Sequence, residues 1–201
     1  MHHRRCVQPT PVLLVLALAL ALTGMTGCGG DSREWPADQG PPVTALYQVT
    51  MNGLDGRPFA FAQLAGKVVV LVNVASRCHF TPQYKALEAL YQRFKDRGLV
   101  VIGVPANDFF GQEPGSDTDI QQFCSATYHV TFPLLSKVAV TGDARCPLYR
   151  YLTTVSARPG AIGWNFVKFV IDRHGTVVER FGSSTAPDDS DLVALIERLL
   201  G

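Results

Sequence analysis

Charge is scarce in this 201-residue sequence, at 17% of residues, and nearly balanced at a formal +1. Beyond the pair Arg4-Arg5 there is no basic run, so nothing offers the charged stripe that nucleic acid needs, and no nucleic-acid partner is expected. No apolar run approaches the ~20 residues of a membrane-spanning helix. None of the five cysteines stands three residues from another, which removes the C-x-x-C pattern of dithiol oxidoreductases and many metal carriers. Cys78 and His79 are adjacent, but no second pair of ligands lies at a recognisable metal spacing, so neither a metal nor a cofactor is expected. An internal repeat is also missing, which excludes solenoid architectures.

What is present at the N-terminus is an export signature. Arg4 and Arg5 precede Val12 to Leu22, an eleven-residue apolar run of signal-peptide length. Met25-Thr26-Gly27-Cys28 then resembles the lipobox at which bacterial signal peptidase cuts before a lipid-modified cysteine, with Met25 where Leu is usual. Residues 1–27 are therefore expected to be a lipoprotein-type signal peptide and Cys28 the lipidation site. Residues 28–42, poor in large apolar side chains, read as a tether, and 43–201 as one folded domain. Acyl chains contribute about 0.8 kcal/mol per buried CH₂, enough together for a stable anchor. The expected location is a bacterial membrane, on its periplasmic or cell-surface side.

Within the domain, Leu46 to Met51 and Pro58 to Phe61 flank Asn52-Gly53-Leu54-Asp55-Gly56, which predicts an N-terminal β-hairpin. Val68 to Val74 is almost unbroken Val and Leu, the pattern of a strand buried on both faces. Tyr84, Leu87, Tyr91 and Phe94 recur at helical spacing from Pro82 to Arg97, Gly98 stops that helix, and Leu99 to Val104 is the next buried strand. Strand, helix and strand at this spacing make a βαβ unit with a parallel pair. Ser116 and Asp119 predict a capped second helix with Ile120, Phe123, Cys124 and Thr127 facing inward. Phe132 to Val140 reads as extended and Pro147 to Thr153 as a short helix. Phe166 to Ile171 and Val177 to Phe181 form a second hairpin, and Leu192 to Leu200 is a closing helix. The fold class that follows is α/β, thioredoxin-like, a central mixed sheet flanked by helices with a hairpin in front.

The chemistry centres on Val72-Asn73-Val74-Ala75-Ser76-Arg77-Cys78-His79-Phe80-Thr81-Pro82-Gln83-Tyr84. Thr81 is a good N-cap and Pro82 a good first helical residue, so Cys78 falls in the turn between a strand and a helix. A helix N-terminus and a basic neighbour, Arg77, both favour the nucleophilic thiolate over the thiol. A buried, inert cysteine is the ordinary alternative, and the position at the strand end argues against it.

That segment closely resembles the active-site segment of the glutathione peroxidase family in its cysteine form. Three others match in order: Pro105-Ala106-Asn107-Asp108-Phe109-Phe110-Gly111-Gln112-Glu113-Pro114-Gly115, then Phe132-Pro133-Leu134 with Lys137-Val138, then Trp164-Asn165-Phe166. The resemblance implies a peroxidase that reduces hydrogen peroxide and organic or lipid hydroperoxides. Cys78 would be peroxidatic and surrounded by residues at the family's Gln, Trp and Asn positions, taken as Asp108, Trp164 and Asn165. Asp108 departs from the family. An ionised carboxylate beside the sulfur opposes a thiolate, so Asp108 is expected to pair with Arg77 or Lys168, or to accept from Trp164 and Asn165 and organise them. His79 stands where Gly is usual. Cys124 matches the resolving cysteine of the thioredoxin-dependent branch, which implies an intramolecular disulfide re-reduced by a thioredoxin-like dithiol protein rather than glutathione. Because it sits on an apolar stripe, the second helix must unwind locally for it to reach Cys78. Cys146, beside Pro147, has no role that the resemblance supplies. The stretch from Pro147 to Trp164 lacks the long insertion of oligomeric relatives, so a monomer is expected. Two other classes compete: a tethered thioredoxin-fold metal or haem-assembly chaperone, which wants the missing cysteine pair, and a catalytically weakened binding protein, for which Asp108 and His79 speak.

Overall fold

The computed structural model of the chain describes residues 45–201; the expected signal peptide, tether and Cys28 lie outside the described residues. A short hairpin, β1 (Thr50–Asn52) and β2 (Pro58–Ala60), precedes β3 (Val68–Val74), α1 (Gln83–Phe94) and β4 (Leu99–Pro105). Then come α2 (Asp117–Tyr128), α3 (Pro147–Arg150), β5 (Lys168–Ile171), β6 (Val177–Phe181) and α4 (Ser190–Leu200). The main sheet is ordered β4-β3-β5-β6. β3 and β4 are parallel, whereas β5 runs antiparallel to both β3 and β6.

All seven residues of β3 are buried, because the sheet is covered on both faces. Side-chain alternation sends Val69 and Leu71 into one apolar cluster with Phe61, Leu148 and Tyr149. Val68, Val70 and Val72 enter the other, with Tyr84 and Leu87 of α1, Ile120 and Cys124 of α2, and Leu192 and Ile196 of α4. Each such side chain contributes about 1.5–3 kcal/mol by leaving water. Cys78 and Cys124 share this second cluster, while Cys146 lies in the first, across the sheet.

Several local expectations need correction. Leu46 lies in a 3₁₀ turn, Ala45–Gln48, rather than a strand: its side chain is fully buried and its carbonyl accepts from Val49 N–H. Thr81 does not cap α1; Pro82 holds the N-cap position in the α conformation, and the Thr81 hydroxyl is used elsewhere. Phe132 to Val140 forms no strand, only isolated bridges of Leu134 to Gly103 and Leu135 to Gly53. Gly103 permits this approach, since a Cβ there would stand 2.5 Å from Leu134. Thr127 faces out and Tyr128 takes the half-buried place instead, ring to ring with Tyr84 and Phe123. After α3 the chain continues as a π turn, Tyr151–Val155. The capping box on α2 and the Gly98 stop, at φ 104°, are as expected.

Candidate active site

The turn after β3 presents Cys78 through hydrogen bonds that the local sequence supplies. The Thr81 hydroxyl accepts from Cys78 N–H at 2.9 Å and donates to Ala75 C=O at 2.8 Å, so it closes the turn from inside. Phe80 N–H points at Cys78 Sγ, 3.4 Å away, giving the sulfur a backbone donor suited to negative charge. Only 7% of Cys78 is exposed, so a reagent must reach the sulfur from one side. Arg77 and His79 turn their side chains to solvent.

Trp164 and Asn165 are carried to this turn by β3 itself. Asn73 is the one polar residue of that strand and is fully buried. Its amide donates to Trp164 C=O at 2.9 Å, its Oδ1 accepts from Val167 N–H at 3.0 Å, and its carbonyl accepts from Phe166 N–H at 2.6 Å. The clamp holds Phe166 at φ 65°, a left-handed conformation that costs a non-glycine residue about 1–2 kcal/mol. In return, Asn165 is fixed at the mouth of the sheet. Trp164 packs between Phe109 and Phe110, with ring centroids at 5.7 and 5.6 Å.

The loop between β4 and α2 closes the site. Gln112 C=O accepts from Arg77 N–H at 3.0 Å, which ties the loop beside Cys78. The Asn165 amide donates to Gln112 Oε1 at 3.0 Å. Gln112, named in the loop motif but assigned no role from sequence, is therefore the glutamine partnered with Asn165. Asp108 is four residues away in another environment: it is exposed, and its Oδ2 accepts from Val140 N–H at 2.9 Å. Its hydrogen bond goes to neither Arg77, Lys168, Trp164 nor Asn165, contrary to each arrangement expected for it. Lys168 is buried and gives its ammonium to Gln83 Oε1 and Thr185 C=O, both at 2.5 Å. Burial lowers its pKa to about 8.

Sequence reasoning also passed over Glu113 and Lys137. Glu113 is fully buried, takes the Ser76 hydroxyl at 2.5 Å, and is pushed up by burial against the lowering effect of Ser76, Lys137 and Arg77. The Lys137 ammonium fastens the same loop through Glu113 C=O at 3.1 Å and Gly115 C=O. The signal for both was a charged residue inside an otherwise matched motif.

Cys124 is 1% exposed on the inner face of α2. Burial, with a smaller contribution from Glu113, moves its thiol up to about 11; an interaction with Tyr84 pulls the other way. The Tyr84 hydroxyl makes no hydrogen bond of ordinary geometry and lies against this thiol. Among the described residues no group of three His, Cys, Asp or Glu could hold a metal ion, and no helix is long and apolar enough to cross a membrane.

The glutathione peroxidase family profile matches residues 46–153. A glutathione peroxidase-like peroxiredoxin of Schizosaccharomyces pombe is 51% identical over 148 residues, 73% of this chain and 94% of the relative. A hydroperoxy fatty acid reductase of Synechocystis is 48% identical over 165 residues, covering 77% of this chain and 95% of its own. Among solved structures, the T. cruzi protein GPX1 superposes with a TM-score of 0.62 at 33% identity, over 78% of this chain and 96% of that one. A thiol:disulfide interchange protein from Chlorobium tepidum superposes at 0.59 with 20% identity, over 76% and 93%, a likeness of thioredoxin-type fold alone. With its cysteine at the end of β3, the Asn165–Gln112 pair beside it and a profile match over more than half its length, the chain belongs to the glutathione peroxidase family.

Proposed function

We propose that the chain is an exported thiol peroxidase in which Cys78 reduces hydroperoxides and Cys124 resolves the product. The observation that carries this reading is Phe80 N–H on Cys78 Sγ, with Asn165 locked to Gln112, whose carbonyl accepts from Arg77 N–H beside that cysteine. The Cys78 sulfur attacks the O–O bond and becomes sulfenic acid, and the departing oxygen must gain a proton. Asn165, Gln112 and the Trp164 indole are the polar groups assigned to that oxygen. Asp108 is given the supporting role of holding Val140, and with it the base of the loop. Cys124 then attacks the sulfenic sulfur, water leaves, and a thioredoxin-like dithiol protein reduces the disulfide. Cys124, in the same apolar layer as Cys78, is favoured as the resolving thiol over Cys146, which lies across the sheet.

The proposed setting is a bacterial membrane, with acyl chains on Cys28 holding a monomeric domain over it. Tethering concentrates lipid hydroperoxides near the site, as a linker raises effective concentration. The name of the Synechocystis relative, a hydroperoxy fatty acid reductase, supports that substrate class. One equivalent of peroxide followed by mass spectrometry tests the core of the proposal. The parent should lose two hydrogens in a Cys78–Cys124 link, and Cys124→Ser should gain one oxygen at Cys78. Cys78→Ser should be folded and inactive. Peroxidase activity surviving in Cys78→Ser, or a Cys78–Cys146 link in the parent, would overturn it.

A further inference from the structure

Glu113 takes part in none of the steps above, yet it is wholly buried and one of its carboxylate oxygens, Oε2, has no hydrogen-bond partner. Such a group is costly to bury and calls for an explanation. Its Oε1 takes the hydroxyl of Ser76, two residues before Cys78, at 2.5 Å. The side chain lines a cleft of about 180 Å³ whose walls are Ser76 and Arg77 on the Cys78 turn and Ile120 and Phe123 on α2. Ile120 stands one helical turn before Cys124 and belongs to the same apolar cluster as both cysteines. The carboxyl group thus lies between the turn that carries Cys78 and α2, the helix that carries Cys124. Its field reaches Cys124 and Tyr84 and raises both. Burial in the closed helix holds the Cys124 thiol up at about 11 and so protonated, and a base on this side of α2 can take its proton as the helix opens.

We propose that Glu113 is the proton acceptor for Cys124 when the disulfide forms, an inference that rests on Cys124 being the resolving thiol. The carboxylate takes the Sγ–H proton, and the electron pair left on Cys124 forms the S–S bond to Cys78. The S–O bond of the sulfenic acid breaks with its electron pair, and the departing hydroxide takes the proton from the Glu113 carboxyl group to leave as water. Cys124 sulfur is oxidised, Cys78 sulfur is reduced, and no outside reagent enters. The charged and titratable groups facing Glu113 are Arg77 beside Cys78, Lys137 behind the loop, Asp119 and Cys124 on α2 and Tyr84 on α1.

The test is rapid-quench alkylation with mass spectrometry on the full chain after one equivalent of hydrogen peroxide, between about pH 5 and pH 9. In the parent, the rate of disulfide formation should rise through the titration of Glu113 and then stay level. Glu113→Gln keeps an acceptor for Ser76; it should slow disulfide formation about 10²-fold, so that sulfenic acid accumulates, and should turn the plateau into a rise of about tenfold per pH unit. Glu113→Asp should restore the plateau at a lower rate, and Ser76→Ala, which cuts the tether but keeps the carboxylate, should retain it. A parent rate that climbs about tenfold per unit across the whole range overturns the proposal, whatever the variants do. So does a Glu113→Gln protein with the parent profile while Cys124→Ser still blocks the disulfide. Should Cys124→Ser form a Cys78 disulfide like the parent, the resolving assignment itself fails.

Discussion

Ser116→Ala should make the enzyme form its disulfide faster while making the protein less stable. Cys124 lies deep in a twelve-residue helix, 1% exposed, and its carbonyl accepts from Val130 N–H at 3.2 Å in the C-terminal cap. On the proposed route, local loss of α2 frees it from this packing to reach Cys78. The helix is held at its start by a reciprocal box, in which Asp119 N–H donates to Ser116 Oγ at 3.2 Å and Ser116 N–H donates to Asp119 Oδ2 at 2.8 Å. Replacing a serine cap by alanine costs about 1 kcal/mol, which at an RT of about 0.59 kcal/mol raises the opening constant of the helix about fivefold. With opening in pre-equilibrium, the disulfide should form about fivefold faster after oxidation of Cys78, and loss of the Cys78 thiol to peroxide should keep its rate. Ser116→Gly, which caps nearly as well, should accelerate it less than about twofold. Rapid-quench alkylation measures both steps, and urea unfolding supplies the control that the cap was lost. A Ser116→Ala protein that is about 1 kcal/mol less stable yet resolves at the parent rate, or slower, would refute the need for helix opening.

Asn165→Leu should lower the rate of Cys78 oxidation about 10²-fold, the usual loss for one donor aimed at a developing charge, and Gln112→Leu should approach it. Stopped-flow kinetics on those two and on Asp108→Asn decides the assignment, with a loss from Asp108→Asn that exceeds the Gln112→Leu loss counting against Gln112. Lys168 titrates near 8 when folded, below the ordinary lysine value of 10.5, because it is buried. Between those values the unfolded chain binds a proton that the native protein lacks, so this group makes native stability rise with pH across the window. The parent minus Lys168→Met difference in unfolding free energy should show that slope, and a flat difference from pH 8 to 10.5 would remove it. Cys28→Ala should shift the protein from the membrane fraction to the soluble fraction, or leave it with its signal uncleaved. Its activity on hydrogen peroxide should be unchanged and its protection of membrane lipid lower; a wild type that is soluble and carries no acyl mass on Cys28 excludes the anchor.

The sequence by itself determined most of the order of elements and the place of Cys78 in the turn between β3 and α1. Val68 to Val74 could only be a strand covered on both faces, Gly98 could only end a helix, and Ser116 with Asp119 wrote the start of α2, because these are local signals of periodicity, φ and capping. Partnerships between distant residues were not legible. That Asn165 binds Gln112 rather than Asp108 depends on how a left-handed turn at Phe110 and Gly111 orients the loop, which no spacing in the chain encodes. Asn73 is the polar exception in an apolar strand, and only packing against residues 164–167 gives its side-chain amide two backbone partners and its carbonyl a third. Thr81 read as a helix cap, and only the folded turn showed its hydroxyl to be more useful to Cys78 N–H and Ala75 C=O. Glu113, one charge in a matched loop, acquires chemical meaning only from burial between the Cys78 turn and α2, because the energy of a carboxylate is set by what surrounds it in space and not by its neighbours in sequence.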